Sequence, residues 1–399
     1  MRKLIITAAL ITAVLFLSGC SIKNETLSVS DSIETTEADV ETEETIDERV
    51  AEEKVEEDAL EKAKSLVSNE KDVVENLRHG LREHSRKINI RFNGESGYND
   101  ALIEIAKNWV EKALMETDNP REGDYIRYQI GRYNISSSYS EGDSLYTVSI
   151  QPKYYMYHVQ EEEASHKAVE VLEDLGIRPV FYETHALDEA KELDEFENSI
   201  SIYDNSIDNK SNDDNSYYED NSYEEIGDYE KIRRIYDYVC KNIKYDYHHD
   251  GMWNYTLRST SYAGLVKQSA TCQGYCVTLY RLLKEAGIDC RIITGQGRSN
   301  DTDTLHAWNI VALDGKYYYL DATWDSEEYS LFLEKEKNSE IGLGEGKDAE
   351  FRYRFFLRGK EDFHEHTLDS KFDTPEFLEK YPISDIGFEE DTETSYPTS

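Results

Sequence analysis

Apolar positions first gather in a nearly unbroken run from Leu4 to Phe16, with Arg2 and Lys3 before it and Leu17-Ser18-Gly19-Cys20 behind it. At about 1.5 Å per helical residue such a run is too short to cross a hydrocarbon core of about 30 Å comfortably, so it reads as a targeting segment. Periodic patterning begins near residue 65. Lys87 to Phe92 alternates and predicts a strand, while Leu102, Ile105, Ala106, Trp109, Val110 and Ala113 recur at helical spacing within Tyr98 to Met115. Asp124 to Ser136 and Ser144 to Tyr157, rich in Tyr, Ile and Val, predict two strands. Glu161 to Leu175 predicts a helix closed by Gly176. Farther on, Ile232, Ile235, Tyr236, Val239 and Ile243 mark one helical face, and Cys272 to Gly287 predicts a second helix through Leu279, Leu282 and Leu283. A strand at Cys290 to Thr294, a polar loop from Gln296 to Asp303, and two alternating runs about Asp314-Gly315 follow. Asp-Gly between alternating runs signals a hairpin with a two-residue turn.

Between the patterned segments the composition changes. Residues 21–64 are Glu-, Thr- and Ser-rich with almost no aromatics, and cannot bury enough apolar surface to offset their ordering entropy, so they predict an acidic disordered tether. Residues 197–227 predict a low-complexity linker and 389–399 an acidic tail. The expected organisation is therefore a leader over 1–20, the tether, an α+β domain over 65–196, the linker, and a second domain over 228–388. With 83 acidic against 44 basic residues the formal charge is −39, which disfavours nucleic acid as a partner. The order of apolar run, small residues and Cys20 resembles a bacterial lipobox, which implies lipidation of Cys20 and an extracytoplasmic protein anchored to the membrane by its N-terminal lipid.

Chemistry concentrates in the second domain. Cys272 falls in the first turn of its predicted helix, where the positive end of the dipole favours a thiolate and free N–H groups suit an oxyanion. Cys276, one turn on, reads as a small buried hydrophobe. The cysteines are not spaced as a disulfide framework or as paired metal ligands, and no metal or cofactor is expected. A two-residue turn at Asp314-Gly315 pairs Leu313 with Lys316 and, counting outward, Trp308 with Asp321. That places Asp321 diagonal to His306 on the same face, within reach of an imidazole–carboxylate bond. Cys272, His306 and Asp321 then fit the roles of nucleophile, base and orienting acid. His364 and His366 read as surface residues, and Trp308 and Trp324 as packing beside the hairpin.

These residues resemble the transglutaminase-like proteins of bacteria, related in fold to papain-type cysteine proteases. The resemblance covers about 228–388: Asn242-Ile243-Lys244-Tyr245-Asp246, Cys272-Gln273-Gly274-Tyr275, His306-Ala307-Trp308-Asn309, Tyr319 to Asp325, and an ending from Phe355 to Ser384. It implies a papain-like domain in which a nucleophile helix packs on an antiparallel sheet. It also implies thiol-dependent acyl transfer or hydrolysis on protein or peptide amides, cell-wall peptides among them, through a thioester. The alternative is a catalytically silent binding module of the same fold at the cell envelope. The second oxyanion donor stays open among Tyr262, Gln268 and the Tyr245–Tyr247 region.

Overall fold

The computed structural model describes residues 59–67, 69–181, 200–202, 226–247, 256–299, 302–338 and 353–389. The leader with Cys20, most of the tether, most of the linker and nearly all of the tail lie outside the described residues. No described helix is long and apolar enough to cross a membrane.

The chain divides into two compact units that interleave in sequence: Met1–Ala113, Gly131–Lys153 and Ala190–Lys210 form one, and Leu114–Ile130, Tyr154–Glu189 and Ser211–Ser399 the other. In the first, helices α1 (Glu70–Arg82) and α2 (Asn99–Ala113) accompany a four-stranded sheet of order β2-β3-β1-β4. Its strands are β1 (Ile88–Asn93), β2 (Ile130–Ser140), β3 (Leu145–Tyr154) and β4 (Ile200–Ile202). Every apolar residue of the α2 face named from its spacing is buried. Antiparallel β1 and β3 set Ile88 across from Ile150 and Ile90 across from Val148, all buried. Each such side chain contributes roughly 1.5–3 kcal/mol by leaving water.

The second unit is built around a central helix on a sheet. Helices α3 (Asp124–Arg127), α4 (His158–Asp174), α5 (Asp228–Asn242), α6 (Ser261–Leu265), α7 (Cys272–Glu285), α8 (Ala322–Asn338) and α9 (Pro375–Lys380) belong to it. Its antiparallel sheet has the order β10-β7-β8-β9, from β7 (Cys290–Ser299), β8 (Thr302–Leu313), β9 (Lys316–Leu320) and β10 (His366–Leu368). A short parallel pair, β5 (Lys244–Tyr245) with β6 (Ser269–Ala270), leads into α7. Helix α7 is buried from Gly274 to Glu285, with α5, α6 and the sheet packed round it. Tyr125, Met156, Ala164, Ala168, Val171 and Leu172 share that core, so α3 and α4 pack with α7 rather than with the strands that flank them in sequence.

Strand β8 separates two cores because successive side chains point to opposite faces. Ala307, Val311 and Leu313 join the core round α7, whereas Trp308 and Ile310 join Phe355, Phe363, Phe372, Tyr381 and Ile383 of the C-terminal segment. The β8–β9 register is the one a two-residue Asp-Gly turn dictates: Leu313 pairs with Lys316 and Asn309 with Leu320.

Two expectations of local structure are corrected. Asp124–Arg127 is a helical turn, and the strand begins only at Ile130. There the Asp124 carboxylate is captured by Arg291 and the Ile292 amide, a distant pull that overrides local β propensity. The polar stretch from Gln296 is no loop either. Strand β7 runs to Ser299 and pairs with β8, and Arg298 bonds Asp303 across the ladder at 2.7 and 3.0 Å.

Candidate active site

Cys272 is the first residue of α7 and is partly exposed, whereas the helix from Gly274 onward sinks into the core. The N-cap, Thr271, makes no side-chain cap, its hydroxyl bonding Ser259 at 3.0 Å and the Arg258 carbonyl at 3.3 Å. Thr271 therefore leaves the first-turn N–H groups of α7 without a side-chain cap. Gly274 permits this position: a Cβ there would stand 2.5 Å from the Arg258 carbonyl oxygen and 2.7 Å from Ala270 Cβ. Gln273 anchors the turn from the other side, donating its Nε2–H to the Tyr128 carbonyl.

His306 on β8 and Asp321 at the start of α8 meet as the hairpin register requires. His306 Nε2 lies 2.8 Å from Asp321 Oδ2, both groups buried. The Cys272 side chain lies near enough to the His306 ring to favour its charged form. Since Nε2 is engaged by the acid, Nδ1 is the nitrogen left for the sulfur. Trp324 stacks on the imidazole at 4.9 Å between centroids. Gly297, on the neighbouring strand, makes room: a Cβ there would lie 2.7 Å from the Trp324 ring and 3.3 Å from His306 Cβ. The structure therefore brings Cys272, His306 and Asp321 together, while Cys20 lies outside the described residues.

Charge in this cluster is set by partners more than by burial. Burial works against an imidazolium at His306, but the Asp321 carboxylate and then the Cys272 sulfur outweigh it and push the pKa up to about 10. Burial likewise pushes Asp321 upward, yet His306, and behind it His366, hold the carboxyl well below the usual carboxylate range. Cys240, Cys276 and Cys290 are free thiols, each raised well above the ordinary thiol value by burial. Cys272 is the remaining free cysteine among the described residues and the one of the four that is partly exposed.

Reading His366 as a surface residue is overturned. Its side chain is 1% exposed, and its Nε2 lies 2.9 Å from the same Asp321 Oδ2 that His306 uses. Oδ1 of that carboxylate accepts from the amides of Thr323 at 3.1 Å and Trp324 at 3.2 Å. The density of aromatic residues from Phe355 to Phe372 was the available hint that this segment packs inward. His306, Asp321 and His366 offer ligand-type atoms within 4.8 Å of one another, so they are the described residues that could hold a metal ion. As they stand, the two imidazoles contact the carboxylate at hydrogen-bond length. Of the open oxyanion candidates, Tyr262 packs in the core round α7 and the Tyr247 hydroxyl donates to Glu327 at 2.5 Å.

Residues 219–322, which span the thiol, the imidazole and the acid, match the transglutaminase-like superfamily model. This part of the chain is a transglutaminase-like domain. Among curated proteins the chain is similar to the kyphoscoliosis peptidases of mouse and human, 28% and 30% identical over 107 residues. That stretch is 24% of this chain and 16% of each relative, so the chain spans about a sixth of the length of the curated relatives it matches. A solved structure described as a TGase is 15% identical over 59% of this chain and 51% of its own, with a TM-score of 0.24, an overlap that adds nothing to the family match.

Proposed function

We propose that the transglutaminase-like domain is a thiol-dependent enzyme acting on protein or peptide amides, with Cys272 as nucleophile, His306 as acid and base, and Asp321 as the orienting carboxylate. The observation that carries this reading is an imidazole held at 2.8 Å by a buried carboxylate beside the one partly exposed cysteine of the four free ones described, at a helix start with no side-chain cap. The Cys272 thiolate attacks the amide carbonyl, and the resulting oxyanion is met by first-turn N–H groups of α7. His306 gives its Nδ1 proton to the departing nitrogen, the C–N bond breaks, and a thioester remains on Cys272. An amine or water then attacks, its proton passes to His306, and the thiolate–imidazolium pair is restored. Asp321 stays ionised throughout and stabilises the imidazolium.

The lipobox-like Leu17-Ser18-Gly19-Cys20 supports a location outside the cytoplasm, tethered by lipid on Cys20, where cell-wall peptides and envelope proteins are the amides within reach. Incubation of the protein with a glutamine-donor peptide and a labelled amine tests the chemistry. Amine uptake or peptide hydrolysis that disappears in Cys272→Ala supports it. Neither product from the wild type would leave a silent binding module. Labelled fatty acid incorporated by the wild type but not by Cys20→Ser tests the anchor.

A further inference from the structure

His366 plays no part in the reaction just described, yet it occupies half of the oxygen that orients the catalytic imidazole. It sits on three-residue β10, which pairs with the end of β7 and brings the ring to Asp321 from the side opposite α7. Four aromatic rings surround it: Phe363 stacks at 3.8 Å between centroids, Trp324 lies at 4.5 Å, Trp308 at 4.8 Å and Phe355 at 5.5 Å. Its charged or titratable neighbours are Asp321 at the head of α8, His306 on β8 and Glu365 beside it in the chain. Lys360 and Asp373 line, with His366, a cavity of about 290 Å³ behind the site.

The environment fixes its protonation. Nδ1 is buried and finds no hydrogen-bond partner among the described residues. A protonated ring would carry a buried N–H there with no described protein group to accept it, a costly arrangement among aromatic rings. The neutral tautomer with its proton on Nε2 leaves only a bare acceptor unpaired and still donates to Asp321 Oδ2 at 2.9 Å. The two histidines on one oxygen are therefore unlike: His306 is the charged partner and His366 the neutral one.

We propose that His366 is a positioning residue for the thiol chemistry, a neutral N–H donor that keeps the Asp321 carboxylate ionised and aimed at His306. The proposal rests on the catalytic reading given above. With His366 in place Asp321 accepts four hydrogen bonds, two on each oxygen, and has little freedom to turn or to take a proton. Without it, a buried carboxylate loses a donor and protonates at higher pH. The imidazolium then loses its counter-charge, and the thiolate with it, from the acid side.

Two substitutions separate donation from packing. His366→Phe keeps an aromatic ring and removes the donor, whereas His366→Gln keeps an N–H near the position of Nε2 and removes the ring. In the full chain, the rate of Cys272 alkylation by iodoacetamide is followed across the acid-to-neutral range by peptide mapping, with melting temperatures alongside. His366→Phe is expected to lower the plateau rate about tenfold or more and to move the acid midpoint to higher pH. His366→Gln is expected to hold the plateau within about threefold of wild type. A His366→Phe profile superimposable on wild type overturns the proposal, as does a folded His366→Gln protein as slow as His366→Phe. Should His366→Phe not fold, the His366→Gln plateau decides alone, in the same two directions. Wild-type Cys272 reacting no faster than buried Cys276 would instead sink the catalytic reading and this proposal together, whereas a fast wild type with unchanged variants sinks this proposal alone.

Discussion

Asp321 and Asp124 are both fully buried carboxylates in the second unit, and in both a cationic partner overcomes burial to hold the pKa below its ordinary value. Their surroundings differ in what else they touch. Asp124 takes the Arg291 guanidinium at 2.7 and 3.2 Å and the Ile292 amide at 2.8 Å. Beside it Glu116, raised to about 8 by burial and by Asp124 against the pull of Arg291, accepts from the Tyr280 hydroxyl at 2.7 Å. The carboxylates of that cluster are answered by donors, and the thiol beside it, Cys290, is fully buried. At Asp321 the bonded imidazole lies beside a partly exposed sulfur at the mouth of a helix. Perturbed titration marks both places, but only an accessible reacting atom makes one of them a site.

Removing the nucleophile or its orienting acid should separate the two clusters most sharply. Cys272→Ala should cut turnover about 10³-fold or more, with the melting temperature nearly unchanged. Asp321→Asn should lower kcat by about 10³- to 10⁴-fold, because an amide can neither carry the counter-charge nor fix the ring in its reactive form. Asp124→Ala should do the reverse. It takes from buried Arg291 the nearer of its two carboxylates, leaving Glu116 at 3.4 Å, and should destabilise by about 3 kcal/mol in chemical denaturation, while activity per folded molecule persists.

How much of this was readable in the sequence differs between the two clusters in the same way. The His306–Asp321 pairing follows from a local rule: an Asp-Gly turn sets the register, and counting along two strands places the acid. Cys272 followed from its position at a helix start. The contact between His366 and Asp321, 45 residues apart, obeys no such count, nor does that between Asp124 and Arg291, 167 apart. No periodicity links β10 to the hairpin, and Asp124–Arg127 looks like strand until its distant partners are known. The mixed polar run from Gln296 misled for a related reason, because backbone pairing of β7 with β8 does not require apolar side chains.

Smaller effects sharpen the contrast. Gly274→Ala places a Cβ against the Arg258 carbonyl and should cost about 1–3 kcal/mol, measurable by urea titration, with a loss of activity exceeding the loss of fold as Cys272 shifts. The pH dependence of stability should show both clusters. Asp321 contributes fully above its unfolded pKa near 3.8, and that contribution is lost as pH falls through its depressed folded value. His306 contributes fully below 6.5 and loses its contribution as pH rises toward about 10, while Glu116 does so from 4.5 toward about 8. Glu116→Gln, which cannot ionise, should lie within about 1 kcal/mol of wild type at mildly acid pH and gain on it in alkali. Thermal melts of both proteins over the alkaline range check this.

The most direct measurement is a competition among four thiols of one folded molecule. Brief exposure to iodoacetamide at neutral pH, followed by quantitative peptide mapping, ranks Cys240, Cys272, Cys276 and Cys290. Cys272 should be modified well ahead of the other three in the wild type, and this lead should shrink in His306→Ala. Equal labelling of all four, or a lead that survives without the imidazole, would contradict the claim that His306 and Asp321 set this sulfur apart.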